Sequence, residues 1–585
     1  MNRDAETRIA DTLTHMGNLS LRHERIDDIP LLVSLGQAVH LDTAVDTHQG
    51  THGAQQGLSN GQLTVVWLAY VLSEGDHSKS GVEAWAWRHR RLLERLLGRP
   101  LRRVDFTDDR LGNLLHRFSD TAKWEALETA VWQASAQVYA LETTQVRMDS
   151  TSTYGYHQVT EDGVMQYGYS KDHRPDLPQL KLMAALGEPA GQWVASDVHP
   201  GQQADEGLYV PLYQRVREVL GQTGLLYSGD CKMAPLATRA RFVAGQDYYL
   251  TRLPRSLVSV DEWQAWEAQR DACEELSLFW VNDEVCGGGC EWTRTLSAEV
   301  GEQTVSWGER LQWVYSPTMA DQQCQGLEVR LQHAEAALWA LTPAPGRGKR
   351  VVWDEATLQT GITAILERYQ VRGLLEPRWE VVETHQTRYV GRGRGSATRP
   401  TREIVEQRYR ITAVERQTSA IAAVQQNLGW QLQVTNAPTA RLDVAQATAA
   451  YRAGWHIEHD FHKVKDRPVG LSPLFVWRED QILGLTRLLT LALRLLTLIE
   501  TQVARGLVAD GESMTGLYEG QPTRATQQPT AARLLKAVSR AEITLTEVCS
   551  PEHTEWYLTP LPPWLSQVLG YLKLPSGLYE RLIEN

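Results

Sequence analysis

Between Thr143 and Arg252 the chain alternates strand-like and helix-like patterns in the order β-β-β-α-β-α-β, and this stretch restricts the fold more than any other. At Thr143–Asp149 the hydrophobic period is two: Val146 and Met148 point one way, and Gln145, Arg147 and Asp149 the other. Small hydroxyl residues follow the acid. Leu180–Ala185 and Trp193–Val198 read as two further strands, and Asp205–Leu220 as a helix. Gly224–Asp230 reads as a buried strand that again ends in an acid, Ala234–Ala244 as a helix, and Tyr248–Arg252 as a strand. Ligand sites of α/β sheets gather beyond strand ends. The acids closing the first and fourth strands, Asp149 and Asp230, are therefore placed to meet.

A third acid lies in Tyr451–Lys465, expected on a helix that starts near Asp443. A helix turns about 100° per residue, so residues seven apart nearly superpose. Tyr451, Glu458 and Lys465 would form one stripe of hydroxyl, carboxylate and cation. Alone, the stripe reads equally as the solvated face of an amphipathic helix. Beside two acid-tipped strands it reads as the third carboxylate of one site. Carboxylates brought together repel unless a cation sits between them. Two Mg²⁺ or Mn²⁺ ions would relieve that repulsion, activate a water or a 3′-hydroxyl, and stabilise the leaving oxygen of an in-line phosphoryl displacement. All-oxygen ligation suits these hard ions better than zinc.

The 585 residues suggest several domains. Residues 1–140 read as mostly helical, with a Ser59 N-cap, a helix over Ser80–Leu97 with a basic face, a third opened by Thr107 or Asp108, and a fourth over Ala122–Tyr139. Such a unit suits DNA-end binding or plain helical packing. Residues 141–255 form the first part of an α/β core, 256–440 an insertion, 441–510 the second part, and 511–585 a C-terminal helical region. The insertion holds ten of the twenty tryptophans, β-like runs at Val305–Tyr315, Leu327–Leu331 and Val381–Tyr389, and a helix at Asp354–Tyr369. Its Gly/Arg loop carries Arg392 and Arg394 and lacks the strand-turn-helix context of a dinucleotide fingerprint. Mobile basic loops bind phosphate backbones; a solvated loop is the alternative. Net charge is −12, so DNA contact must come from local basic patches rather than from the overall field.

Six scattered cysteines fit a reducing cytosol. Cys286 and Cys290 could start a zinc site, but no second pair completes it. The N-terminus has no apolar secretory segment. The apolar run Ile482–Ile499 carries Arg487 and Arg494, which a bilayer span rarely tolerates unpaired, and is expected to be a buried helix.

Met148–Asp149–Ser–Thr–Ser, Gly168–Tyr–Ser–Lys171–Asp–His–Arg174–Pro–Asp–Leu–Pro, Ser228–Gly–Asp230, Thr435–Asn–Ala–Pro, Gly516–Leu–Tyr–Glu–Gly and the Tyr451, Glu458, Lys465 spacing together resemble one family. It is the bacterial insertion-sequence DDE transposases of the YREK branch, an IS-four-like group with a β insertion between the second Asp and the Glu. The resemblance covers residues 20 to 575. One departure is Gly454, where the branch has Arg; Arg452 is about 200° around a helix from that position. The resemblance implies an α/β, ribonuclease-H-like catalytic core interrupted by a β-rich insertion, and cut-and-paste DNA transposition with two Mg²⁺ or Mn²⁺ ions. It implies Asp149, Asp230 and Glu458 as metal ligands. Tyr451 and Lys465 would grip phosphate, with His462, Arg392, Arg394, Lys171 and Arg174 as further DNA contacts. It also implies a tryptophan of the insertion stacked on a flipped base, transposon-end and target DNA as partners, a homodimer in the synaptic complex, and a cytoplasmic, nucleoid-associated, membrane-free location. Three rivals compete. A zinc hydrolase would use His456, His459 and His462, but these rotate around a helix and His-Glu-x-x-His is absent. A two-carboxylate glycosidase leaves Lys465 and the arginine loop unexplained. A catalytically inactive, domesticated DNA-binding derivative would not need all three acids.

Overall fold

The computed structural model describes residues 20–50, 55–273, 276–281, 284–344, 351–393, 398–549 and 554–584. The chain starts with a short strand, β1 (Ser20–Arg25), and then forms helices from Ile29–Ala38 to Thr121–Tyr139. Ser59 caps the helix Asn60–Glu74 in a capping box: its hydroxyl accepts from the Gln62 N–H, and the Gln62 side chain accepts from the Ser59 N–H. The helix expected over Ser80–Leu97 is two, Lys79–Arg88 and Arg90–Leu97, parted at His89, whose buried ring packs 5.1 Å from that of Trp85.

The chain then enters one mixed sheet. Its strands are β2 (Thr143–Tyr154), β3 (Gln179–Pro189), β4 (Gln192–Pro200), β5 (Leu226–Gly229), β6 (Tyr248–Arg252), β7 (Ser277–Val281), β8 (Glu284–Val300) and β9 (Gln303–Tyr315). A long hairpin, β10 (Leu375–Tyr389) with β11 (Thr401–Arg416), stands outside it, and β12 (Trp430–Thr435) returns to it. The sheet order is β4-β3-β2-β5-β6-β12-β9-β8-β7. β5 runs parallel to both β2 and β6, and the other neighbours are antiparallel. Each parallel step needs a crossover: Tyr209–Leu220 leads into β5 and Leu236–Ala244 links β5 to β6. These helices set Leu212, Tyr213, Val216 and Phe242 against one face of the sheet. The other face, through Leu226 and Leu250, takes Ala447 and Tyr451 of a helix at Val444–Arg452.

Two expectations for the insertion are revised. Leu327–Leu331 is not a strand; it lies in the helix Pro317–Leu341, where Leu327, Leu331, Ala334 and Leu338 share a buried stripe at helical spacing. The β content is also divided. β7, β8 and β9 extend the main sheet, whereas β10–β11 and the helices Pro317–Leu341, Glu355–Arg368 and Thr418–Gln426 build a core of their own.

The helix Glu479–Asp510 is, among the described residues, the one long and apolar enough to cross a membrane, and 94% of its most apolar stretch is buried inside the protein. Its arginines are satisfied there. Arg487 donates to the Phe118 carbonyl at 2.7 Å and the Thr121 hydroxyl at 3.1 Å. Arg494 pairs with Glu128, a wholly buried carboxylate that also holds Arg215. The C-terminal residues were expected to be helical. Helices at Ala531–Arg540 and Pro563–Tyr571 instead flank two strands, β13 (Thr544–Cys549) and β14 (Thr554–Leu558). β1 pairs with β13, Ser20 opposite Cys549, so the two ends of the described chain share a three-stranded sheet and one hydrophobic core. The described residues of 20–140 and 511–584 thus pack around one hydrophobic core.

Candidate active site

The parallel register of β2 and β5 pairs Met148 with Gly229. The next residue on each strand is an aspartate, so Asp149 and Asp230 emerge side by side at one end of the sheet. Asp149 is four-fifths buried; its Oδ1 accepts from the Ser150 N–H at 2.7 Å and lies 3.4 Å from the Lys171 ammonium. Burial pushes its carboxyl up to about 6, against the pull of Lys171 and with a further push from Asp230. Lys171 also donates to the Ser150 carbonyl, and its N–H to the Ser152 hydroxyl at 2.9 Å, which anchors the loop after β2 over the acid. Asp230 accepts from the Tyr209 hydroxyl at 2.7 Å and from the Lys232 N–H at 2.9 Å. Tyr209 is buried, and its phenol is pushed far up by burial and by the neighbouring carboxylates, so it stays a donor.

Glu458 comes from the first turn of the helix Trp455–Lys465, with its side chain exposed. This helix does not continue the preceding one. At Ala453–Gly454 the α-ladder gives way to tighter bonds, Gly454 N–H to the Tyr451 carbonyl at 3.0 Å and His456 N–H to the Ala453 carbonyl at 3.1 Å. The expected single stripe is therefore split between two helices. Tyr451 and Glu458 nevertheless line one cleft of about 370 Å³ with Asp149, Asp230, Gly454 and Trp455. Burial pushes the Tyr451 phenol up to about 12.

Lys465 is turned elsewhere, to Asp172 at 2.6 Å. The consecutive residues Lys171 and Asp172 thus bridge the two sides of the site, one to Asp149 and the other to Lys465. Arg174 forms a two-bond pair with Asp176 at 2.7 and 2.8 Å, outside the cleft lining. His462 is exposed one turn after Glu458. Arg392 is exposed at the tip of the β10–β11 hairpin, and Arg394 lies outside the described residues. Of the tryptophans of the insertion, Trp307 and Trp313 are buried, 8% and 2% exposed, and packed into the sheet. The exposed Trp455, in the cleft itself, was not singled out from sequence. Nor was Arg147, which shares the Asp149 face of β2 and is tied to Glu188 at 2.8 Å and the Ala450 carbonyl at 2.5 Å. Period-two alternation placed it there; its partners, distant in sequence, gave no signal.

Among the described residues no three His, Cys, Asp or Glu side chains stand close enough together to hold one metal ion. The donor set at Asp149 and Asp230 is all oxygen, and the Lys171 ammonium lies 3.4 Å from Asp149 Oδ1. Two carboxylates thus fit a hard ion in kind, and the third lines the same cleft. The Cys286–Cys290 stretch lies on β8; Cys290 is buried and hydrogen-bonds with Cys273, and burial pushes its thiol up to about 12.

No family model and no curated protein matches this chain. Among solved structures it is similar to piggyBac transposase in a synaptic complex with hairpin DNA, at 9% identity and a TM-score of 0.25. That match covers 50% of this chain and 58% of the other, less than two thirds of its length.

Proposed function

We propose that this protein is a DNA transposase whose ribonuclease-H-like core cuts and joins DNA strands with divalent metal ions. One observation carries the reading: Asp149 and Asp230, at adjacent parallel strand ends, line one cleft with Glu458 from a helix. The strand order β4-β3-β2-β5-β6, with three antiparallel and two parallel strands, supports the assignment of the core. Asp149, Asp230 and Glu458 are the residues that would hold Mg²⁺ or Mn²⁺, which when bound supplies an activated water or 3′-hydroxyl and stabilises the leaving oxygen. The protein's own residues prepare the site. The Tyr209 hydroxyl and the Lys232 N–H fix the Asp230 carboxylate, and Lys171 keeps Asp149 from standing as an unpaired buried charge. Tyr451, with its proton retained, offers a donor to a phosphate oxygen. Lys465, His462, Arg392, Arg394, Lys171 and Arg174 belong to the same reading as DNA contacts, as do a homodimer on paired transposon ends and a cytoplasmic location. Within this reading the broken helix at Ala453–Gly454 takes the place of the arginine that the YREK branch carries there.

The test is incubation with Mg²⁺ and DNA bearing the terminal sequences that flank the gene. Strand cleavage at those ends is expected, lost in Asp149→Asn, Asp230→Asn and Glu458→Gln while binding persists. Cleavage that survives Glu458→Gln removes the catalytic assignment. A second reading, a catalytically inactive DNA-binding derivative, is favoured by the lack of three gathered ligands among the described residues. Binding without cleavage by the wild type would select it.

A further inference from the structure

The break at Ala453–Gly454 releases a backbone carbonyl. In a continuous α-helix the Gly454 N–H would bond the Ala450 carbonyl; here it bonds the Tyr451 carbonyl instead. Arg147 of β2 takes the freed Ala450 oxygen, donating from Nη1 at 2.5 Å. Its Nη2 lies 2.8 Å from Oε2 of Glu188. Glu188 stands on β3 opposite Gln145, a diagonal step from Arg147 on the same face of the sheet. Its Oε1 lies 2.5 Å from Nδ1 of His456, in the helix that begins after the break. An ionised carboxylate only accepts, so this imidazole nitrogen carries the proton. One carboxylate thus ties the helix before the break, through Arg147, and the helix after it, through His456.

His456 and Glu458 are two residues apart, about 200° around their helix. His456 and Glu188 line a cavity of about 900 Å³, whereas Glu458 lines the cleft of Asp149 and Asp230. Ile457 and Phe461 seat the helix in the core, and the contact at His456 sets how its first turn is rotated. Arg147 is 4% exposed and cannot leave Glu188 without standing as an unpaired buried charge. Burial raises the Glu188 carboxyl, but the hydrogen bonds from His456 and Arg147 outweigh it and hold the group below its usual value. The tie therefore persists at neutral pH.

We propose that Glu188 is a positioning residue for strand cleavage: through Arg147 and His456 it holds the two helices at the break and so sets where Glu458 stands against Asp149 and Asp230. The proposal rests on the phosphodiester chemistry inferred above and adds to it a carboxylate that holds neither metal nor DNA. It also gives Gly454 a counterpart, since the bond that a continuous helix would make there is replaced by one to the sheet.

The experiment compares wild type with Glu188→Ala, Glu188→Gln, His456→Ala and the double variant Glu188→Ala/His456→Ala. Cleavage of a labelled duplex bearing the terminal sequences is measured at saturating DNA with Mg²⁺, duplex binding by anisotropy, and Mn²⁺ binding without DNA by calorimetry. A misplaced Glu458 is expected to lower the cleavage rate at least about tenfold in Glu188→Ala and in His456→Ala. Both should bind Mn²⁺ more weakly, with the affinity for DNA unchanged. The Glu188→Gln amide keeps an acceptor for Arg147 and a donor for His456, and should recover part of the rate. Because the two alanine changes cut one tie, the double variant should be no slower than the slower single variant. Unchanged thermal unfolding shows that a variant is folded; where Glu188→Ala is not, His456→Ala, whose side chain is 41% exposed, decides alone. A wild-type cleavage rate and Mn²⁺ affinity in His456→Ala overturn the proposal, as does a double variant whose loss is the product of the two single losses. A wild type that does not cut the duplex overturns instead the functional reading on which the proposal stands.

Discussion

Asp149 places a cost on the folded state. Its carboxyl is raised from 3.8 to about 6, chiefly by burial. Between those values the folded protein keeps a proton that the unfolded chain has released, so stability falls as pH rises through this window and stays low above it. Asp149→Asn removes the cost. It should raise stability at about pH 8 by about 2 kcal/mol, a full shift discounted for partial exposure, with the gain vanishing below about pH 4. Urea unfolding at both pH values checks this, and a variant no more stable at the higher pH speaks against it. Asp149 and Asp230 could be read from sequence because period-two alternation and a terminal acid are local signals. Lys465 could be placed near the site, but its partner Asp172 lies 293 residues away, and spacing along a helix does not report it.

Elements are joined here by buried charge. Glu128 of the helix Thr121–Tyr139 reaches Arg215 of Tyr209–Leu220 and Arg494 of Glu479–Asp510, and accepts from the Ser196 hydroxyl on β4 at 2.8 Å. Burial pushes Arg494 down to about 9 and Arg215 down to about 10, and both pair with this one carboxylate. Glu128→Ala strands two buried guanidinium groups and should cost about 3–5 kcal/mol, measurable as a lower urea midpoint at an unchanged slope. A midpoint within experimental error of wild type would show that the two guanidinium groups do not depend on Glu128. The long helix itself was evident from its apolar run, and its two arginines argued correctly for burial within protein. What satisfied them was not evident, because Glu128 and Arg494 stand 366 residues apart. The helix Pro317–Leu341 was missed in part because Leu327–Leu331, taken alone, is too short a run to separate period two from period 3.6.

At the scale of the molecule, the chain leaves the sheet after β9 and returns at β12 through neighbouring points: the Ser316 N–H donates to the Gly429 carbonyl at 3.0 Å. The excursion between them has its own core. Replacing residues 317–428 with a short Gly/Ser linker should leave a folded body whose melting temperature stays within about 4 °C of wild type. If the functional reading holds, the shortened protein loses DNA affinity with the hairpin arginines. A body that fails to fold would show that the excursion supports the sheet. The break in strand-helix alternation after Arg252 marks an interruption here, but part of that interruption widens the sheet, and strand pairing across such distances leaves no local trace in the sequence. The shared core of the chain's two ends also sets a schedule for synthesis. Helices up to Tyr139 leave the ribosome long before Glu479–Asp510, the helix they pack against, and at roughly 5–20 residues per second the wait is about 20–70 s. Throughout that interval the nascent chain displays an uncovered apolar groove, so its yield in a cell is governed by whatever shields that groove until the last third is made.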